Sequence, residues 1–126
     1  MKTKLLTLAT IAVIALNVCG ALAETCGGGS FITGNNGHEY CRSNKRMNWW
    51  SAYTWCKANG LHMVSIYEIC PGWDGSMGSG CSNLNSSLDF DTWTSTASAQ
   101  TEAVYVSAYL IIKTAARHNT FKALCY

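Results

Sequence analysis

Charge is scarce in this 126-residue chain: 13% of its residues are charged, against 48% that are apolar. Lysine and arginine crowd together only at Arg42, Lys45 and Arg46, a stretch that reads as a solvated loop. A nucleic-acid or membrane-surface binder needs a basic face, so neither partner class is expected. No Cys-x-x-Cys spacing occurs, which removes the dithiol redox motif. His38, His62 and His118 lie far apart and the cysteine gaps are wide, which removes a zinc site. No Gly-x-Ser-x-Gly or other activated nucleophile is present. There are no internal repeats, and one domain is the most that this length carries.

What is present begins with a leader. Lys2 and Lys4 precede an apolar run from Leu5 to Val18, and Ala21-Leu22-Ala23 supplies a small-residue cleavage site. Residues 1–23 therefore read as a secretory signal peptide, too short in its apolar part to span a bilayer comfortably. Val18 before Cys19 is a poor fit to lipid-anchor processing. Removing Lys2 and Lys4 leaves seven basic and seven acidic residues, a net charge of zero for residues 24–126. With no second long hydrophobic run, the product is expected to be secreted, periplasmic or held at the cell surface, without stable membrane insertion.

Six cysteines remain after Cys19 leaves: Cys26, Cys41, Cys56, Cys70, Cys81 and Cys125. An even count in an exported chain implies disulfides. Fifteen connectivities are possible and spacing alone does not choose among them. Pairing neighbours suggests Cys26–Cys41 and Cys70–Cys81, leaving Cys56–Cys125. On the chain-entropy account the long bridge contributes roughly 4 kcal/mol and Cys70–Cys81 about 3 kcal/mol.

Along the chain, Asn36-Gly37 is a hairpin turn signal between two short strand candidates, Ser30–Thr33 and Glu39–Cys41. Residues 48–59 read as a helix. Asn48 is its N-cap, Trp49, Ala52, Tyr53 and Cys56 form one face, and Asn59-Gly60 stops it. Trp50 and Trp55 flank that face and are expected to pack at the edge of the core. Leu61 and Met63 make a short extended lead-in to Ser65-x-x-Glu68, a capping box opening a second, short helix that Pro71-Gly72 ends. Residues 71–89 read as a loop. Trp93–Thr96, Val104–Val106 and Thr120–Tyr126 read as strands, the last with Phe121, Ala123 and Cys125 on one face. Tyr109–Ile112 is ambiguous between strand and turn. The plan is α+β, with two helices packed on a small, mostly antiparallel sheet.

Trp49-x-x-Ala52-x-x-x-Cys56-x-x-x-Gly60-x-x-Met63 followed by Ser65-x-x-Glu68 resembles the first half of the C-type lectin-like domain. Trp93-Thr94-Ser95 is similar to the family's Trp-Ile-Gly strand, and Ala123–Tyr126 to its closing strand. The resemblance covers residues 40–126, is specific in its first half and weak in its second. It implies a bridge from the first helix to the closing strand, here Cys56–Cys125, and makes residues 24–41 an N-terminal hairpin extension of the long-form kind. It does not imply the family's calcium-dependent sugar site. Glu-Pro-Asn, Gln-Pro-Asp and Trp-Asn-Asp are all missing, and the only proline, Pro71, lies outside such a motif. The segment between Trp93 and Cys125 leaves little room for the long loop. A Cys70–Cys81 loop directly after the second helix is also outside the usual pattern. The chain is thus similar to compact members without the calcium and sugar motifs, as occur in bacteria.

The chemistry follows the same lines. Calcium needs several converging oxygens, and Asp74, Asp89 and Asp91 read as solvated loop carboxylates. No metal or cofactor is expected, and no catalytic residue. Trp73 leads the ligand-binding candidates because it sits in a glycine-rich loop away from the helical core pattern, with Asp74 beside it; large rigid rings lose little entropy on binding. Arg117, His118 and Asn119 offer hydrogen-bond donors before the last strand and next to Tyr109. In bacterial and phage members of the family this region is a variable recognition surface. Asn85-Ser86-Ser87 is a glycosylation sequon. The expected function is non-catalytic binding of a glycan or surface ligand without calcium. A protein-binding or adhesion module on the same scaffold is the alternative, and a small exported enzyme or inhibitor the third reading.

Overall fold

The structure, a computed structural model, describes residues 25–81 and 91–126. The leader, the sequon and Asp89 lie outside the described residues. The elements run β1 (Thr25–Cys26), β2 (Gly29–Thr33), β3 (Glu39–Arg42), α1 (Trp49–Ala58), α2 (Ile66–Ile69), β4 (Thr92–Ala97), β5 (Glu102–Val106), β6 (Ile112–Ala116) and β7 (Leu124–Cys125).

Both helices begin as their sequences dictate. The Asn48 side chain accepts from the Ser51 amide at α1, and Ser65 and Glu68 form a reciprocal capping box at α2. Past the Asn59 cap, Gly60 takes φ +73°, a conformation that costs a side chain and suits glycine. Ala52 and Cys56 are fully buried on the inner face of α1, but Tyr53 on the expected core face is 36% exposed and Trp50 is 51% exposed. Only Trp55 of the two flanking tryptophans packs against the core.

The expected single sheet is two antiparallel sheets, one ordered β1-β2-β3-β7 and one ordered β4-β5-β6. The ambiguous Tyr109–Ile112 segment divides: the Leu110 amide bonds back to the Ser107 carbonyl in a turn, Leu110 takes φ +62°, and Ile112 opens β6. β6 then pairs with β5 over its whole length, from Val106↔Ile112 to Glu102↔Ala116. Its Lys113-Thr114-Ala115-Ala116 stretch is poor in strand formers, and the pairing imposes the conformation.

Residues 121–126 join everything. Phe121 bridges Met47, Lys122 bridges Thr92, β7 pairs with β3, and Tyr126 exchanges both backbone hydrogen bonds with His62. Phe121, Ala123 and Cys125 all pack in one cluster with Cys56, Met63 and Trp93. A second cluster gathers Tyr40, Val64, Ile66, Ile69, Ile112 and Leu124 between α2 and both sheets. The cysteines pair as Cys26–Cys41, Cys56–Cys125 and Cys70–Cys81, with Cα–Cα distances of 5.9, 5.5 and 5.0 Å. Three such bridges are compatible with an oxidising compartment, and no helix among the described residues is long and apolar enough to cross a membrane.

Candidate functional site

The loop after α2 is held at both ends. Cys70–Cys81 closes it covalently, and three backbone hydrogen bonds fasten its far side to the β5–β6 turn: Gly78 N to Ile112 O at 2.8 Å, Cys81 N to Leu110 O at 2.8 Å, and Ile112 N to Ser79 O at 2.9 Å. Inside the loop the Ser76 carbonyl accepts from both the Trp73 indole at 2.9 Å and the Ser79 hydroxyl at 2.6 Å. Asp74 Oδ1 accepts from the Ser76 amide at 2.9 Å. Hydrogen bonds from the Ser76 side chain and backbone hold the exposed Asp74 carboxyl below the ordinary range. These internal bonds make the loop a built surface rather than a slack connection.

The same contacts bring Trp73 and Tyr109 to one end of the molecule. Trp73 is half-buried, packs with Leu110 against the core and lies 5.8 Å from the Tyr67 ring. Tyr109, at the tip of the turn, is 88% exposed, and Tyr67 is 57% exposed. Between Pro71 and Gly80 lies a hollow of about 200 Å³ lined also by Trp73, Asp74 and Ser79. That is smaller than the pockets that enclose small molecules, so it suits one ring or side chain of a larger ligand.

Arg117, His118 and Asn119 sit apart from this end. β6 separates them from Tyr109 by five residues of extended chain, on the order of 16 Å. Arg117 also has structural work: its guanidinium lies 4.3 Å over the Trp49 ring and donates to the Glu102 and Ala99 carbonyls at 3.2 and 3.1 Å. His118 and Asn119 are exposed, and the Asn119 amide closes a turn onto the Ala116 carbonyl. The sequence-predicted set is therefore two groups, with Trp73, Asp74 and Tyr109 at one end of β6 and Arg117, His118 and Asn119 at the other.

Two features escaped the sequence reading. His62 Nε2 meets Glu68 Oε2 at 2.8 Å, while Glu68 Oε1 accepts from the Ser65 amide. Partial burial works to raise the Glu68 carboxyl, but hydrogen bonds from His62 and Ser65, with the charge interaction of His62, outweigh it and hold the group low. The second feature is the aromatic group at the start of α1, where Trp49, packed against the core, stacks on the exposed Tyr53 at 5.4 Å and meets the exposed Trp50 edge-on at 6.3 Å. Helical periodicity assigned these rings to the core face or its edge, and nothing in the spacing distinguishes a packed ring from an exposed one.

Asp91 Oδ1 accepts from the Ala108 amide at 2.8 Å and so anchors the β5–β6 turn. Among the described residues no group of three or more His, Cys, Asp or Glu side chains is placed to hold a metal ion. In comparison with known proteins, no family model matches the chain and no curated protein matches it.

Proposed function

We propose that this is an exported recognition domain of the C-type lectin-like kind, which binds a glycan on a surface without calcium and without catalysis. One observation supports this best. A disulfide-closed loop, hydrogen-bonded internally and fastened to the β5–β6 turn, carries Trp73 in the wall of a small hollow, with the exposed Tyr67 ring beside Trp73 and the exposed Tyr109 on the turn to which the loop is fastened. Rings held on a rigid support lose little entropy when a ligand stacks on them. The described carboxylates next to these rings are engaged: Asp74 by Ser76, Glu68 by His62 and Ser65, and Asp91 by the Ala108 amide. That favours stacking and hydrogen bonding over ionic capture or acid–base chemistry. The strong exposure of Tyr109, together with Met77 at 48%, also fits a protein ligand, since such side chains are favoured at protein interfaces.

A glycan array probed with residues 24–126, once in calcium and once in chelator, tests the reading. Hits should survive the chelator, and Tyr109→Ala, which alters a side chain that is almost wholly exposed, should weaken them about tenfold. Hits lost in chelator would overturn the calcium-free reading. An array without hits, alongside retained binding to protein-bearing cell surfaces, would replace the glycan with a protein ligand.

A further inference from the structure

The five tryptophans divide by what their indole N–H groups do. Trp49, Trp73 and Trp93 donate to the backbone carbonyls of Thr94, Ser76 and Met47 at 2.9, 2.9 and 3.0 Å. Trp50 and Trp55 donate to no group among the described residues. Both belong to α1, and they wall a shallow surface hollow of about 410 Å³ whose floor is Ser51, Thr54 and Ala58. Small side chains on that ridge leave space between the two rings, and two of them carry hydroxyls.

Trp55 also walls a second hollow on the side facing the N-terminal hairpin, where Gly27, Gly28, Ser43, Asn44, Lys45 and Met47 complete the lining. The hairpin reaches the helix there because Gly29 lacks a side chain: a Cβ would collide with the Arg42 carbonyl and stand 3.0 Å from Trp55 Cη2. Asn44 Nδ2 donates to the Gly28 carbonyl at 2.6 Å, fixing the rim. Lys45 lines this hollow and Arg46 follows it; both are exposed, and neither has an acidic partner among the described residues. No acidic residue lines either hollow. Glu39 lies at the opposite end of the β2–β3 pairing, opposite Thr33, while Glu68 is engaged by His62 and Asp91 by Ala108. The two hollows, joined at Trp55, therefore form a path from the Trp50 and Trp55 rings to a positive corner that no acidic residue faces among the described residues.

We propose that this surface is a second binding site, which takes an acidic oligosaccharide. Sugar rings stack on Trp50 and Trp55, sugar hydroxyls meet their indole N–H groups and the Ser51 and Thr54 hydroxyls, and a sulfate or carboxylate substituent pairs with Lys45 and Arg46. Aromatic faces suit the C–H side of a sugar ring, and exposed cations without internal partners form charge-assisted bonds to anionic substituents. A nucleic acid fits less well, because a mature chain with no net charge offers one basic corner rather than the track that a phosphate backbone follows. The site shares no residue with the Tyr67–Trp73–Tyr109 surface, so either can fail alone.

The test is titration of the ¹⁵N-labelled, disulfide-bonded protein with a sulfated hexasaccharide, its desulfated counterpart and a single-stranded oligonucleotide of equal charge, read at the five indole resonances. The sulfated sugar should move the Trp50 and Trp55 signals and leave Trp73 in place. Affinity should fall about tenfold for the desulfated sugar, for Trp50→Ala and for the Lys45→Ser/Arg46→Ser double variant. Trp50 is half exposed, so its removal leaves the fold intact. Equal affinity for both sugars, equal affinity for the oligonucleotide, no change in the double variant, or no binding up to millimolar sugar would each overturn the proposal. Movement of Trp73 alone would also overturn it while supporting the other surface, whose own failure is read separately from the Tyr109→Ala array.

Discussion

Glu68 shows how one residue carries two structural tasks. One oxygen closes the capping box onto the Ser65 amide and the other faces His62 Nε2 at 2.8 Å. Because these contacts favour the carboxylate, the group is held below its ordinary value in the folded chain. A depressed carboxyl stabilises the fold above the unfolded-state value and loses that contribution as pH falls through the folded-state value. Acidification below about pH 4.5, the ordinary value for this group, should therefore lower the melting temperature of the native protein more than that of Glu68→Gln. Glutamine keeps an acceptor for the cap but does not titrate. Parallel melting curves between pH 6 and pH 3 would show that Glu68 adds nothing to the acid response. The box itself was legible, since Ser65-x-x-Glu68 states it in four residues. The His62 contact was not, because it depends on the chain turning at Gly60 and on His62 pairing with Tyr126 from the far end of the sequence.

At the scale of elements, the N-terminal hairpin and α1 are fitted by glycines that do different work. Gly28 has φ +84° and open space where its Cβ would be, whereas Gly29 lies in β2 against the Arg42 carbonyl and the Trp55 ring. Gly28→Ala should cost the strain of a left-handed residue, about 1–2 kcal/mol. Gly29→Ala must displace backbone or the indole, and overpacking of that kind costs about 1–3 kcal/mol. The effects separate in kind: urea unfolding gives both losses, but only Gly29→Ala should also shift Trp55 fluorescence or its indole resonance in the folded state. An unmoved Trp55 signal would refute the close fit. Nothing in the Gly27-Gly28-Gly29 run of the sequence distinguishes the glycine with the left-handed backbone from the one in close contact. Both helices and the β2–β3 hairpin were legible because caps, periodicity and Asn36-Gly37 are local signals. β6 was not, because its Lys and two Ala carry no strand preference and only the ladder to β5 makes them a strand. The same strand divides the predicted binding residues, so Tyr109 stays at the end fastened to the Trp73 loop while Arg117 goes to Trp49.

Over the whole molecule, the division into two sheets depends on contacts that no local pattern encodes. The last six residues touch Met47, Asp91, Ser43 and His62 in turn, so the chain's end is the seam between both sheets and the lead-in to α2. The cystines act on different parts of this arrangement. Cys56–Cys125 spans 69 residues and ties α1 to the seam, while Cys70–Cys81 spans 11 and ties only the loop after α2. Chain entropy gives about 4 kcal/mol for the first and about 3 kcal/mol for the second, a difference too small to tell them apart by stability alone. Local opening separates them, because hydrogen exchange reports each region's own opening free energy. In a Cys70→Ala/Cys81→Ala variant, the amides of Gly78, Cys81Ala and Ile112 should exchange much faster, while those of Val64, Ser43 and Tyr126 at the seam should keep their protection relative to global unfolding. Binding at the Tyr109 surface should weaken with the loop, since its rings would no longer be held in place before the ligand arrives. A Cys56→Ala/Cys125→Ala variant should instead lower protection at the seam and in α1 together. Uniform loss of protection in both variants would mean that the molecule opens as one unit and that the loop after α2 has no separate staple.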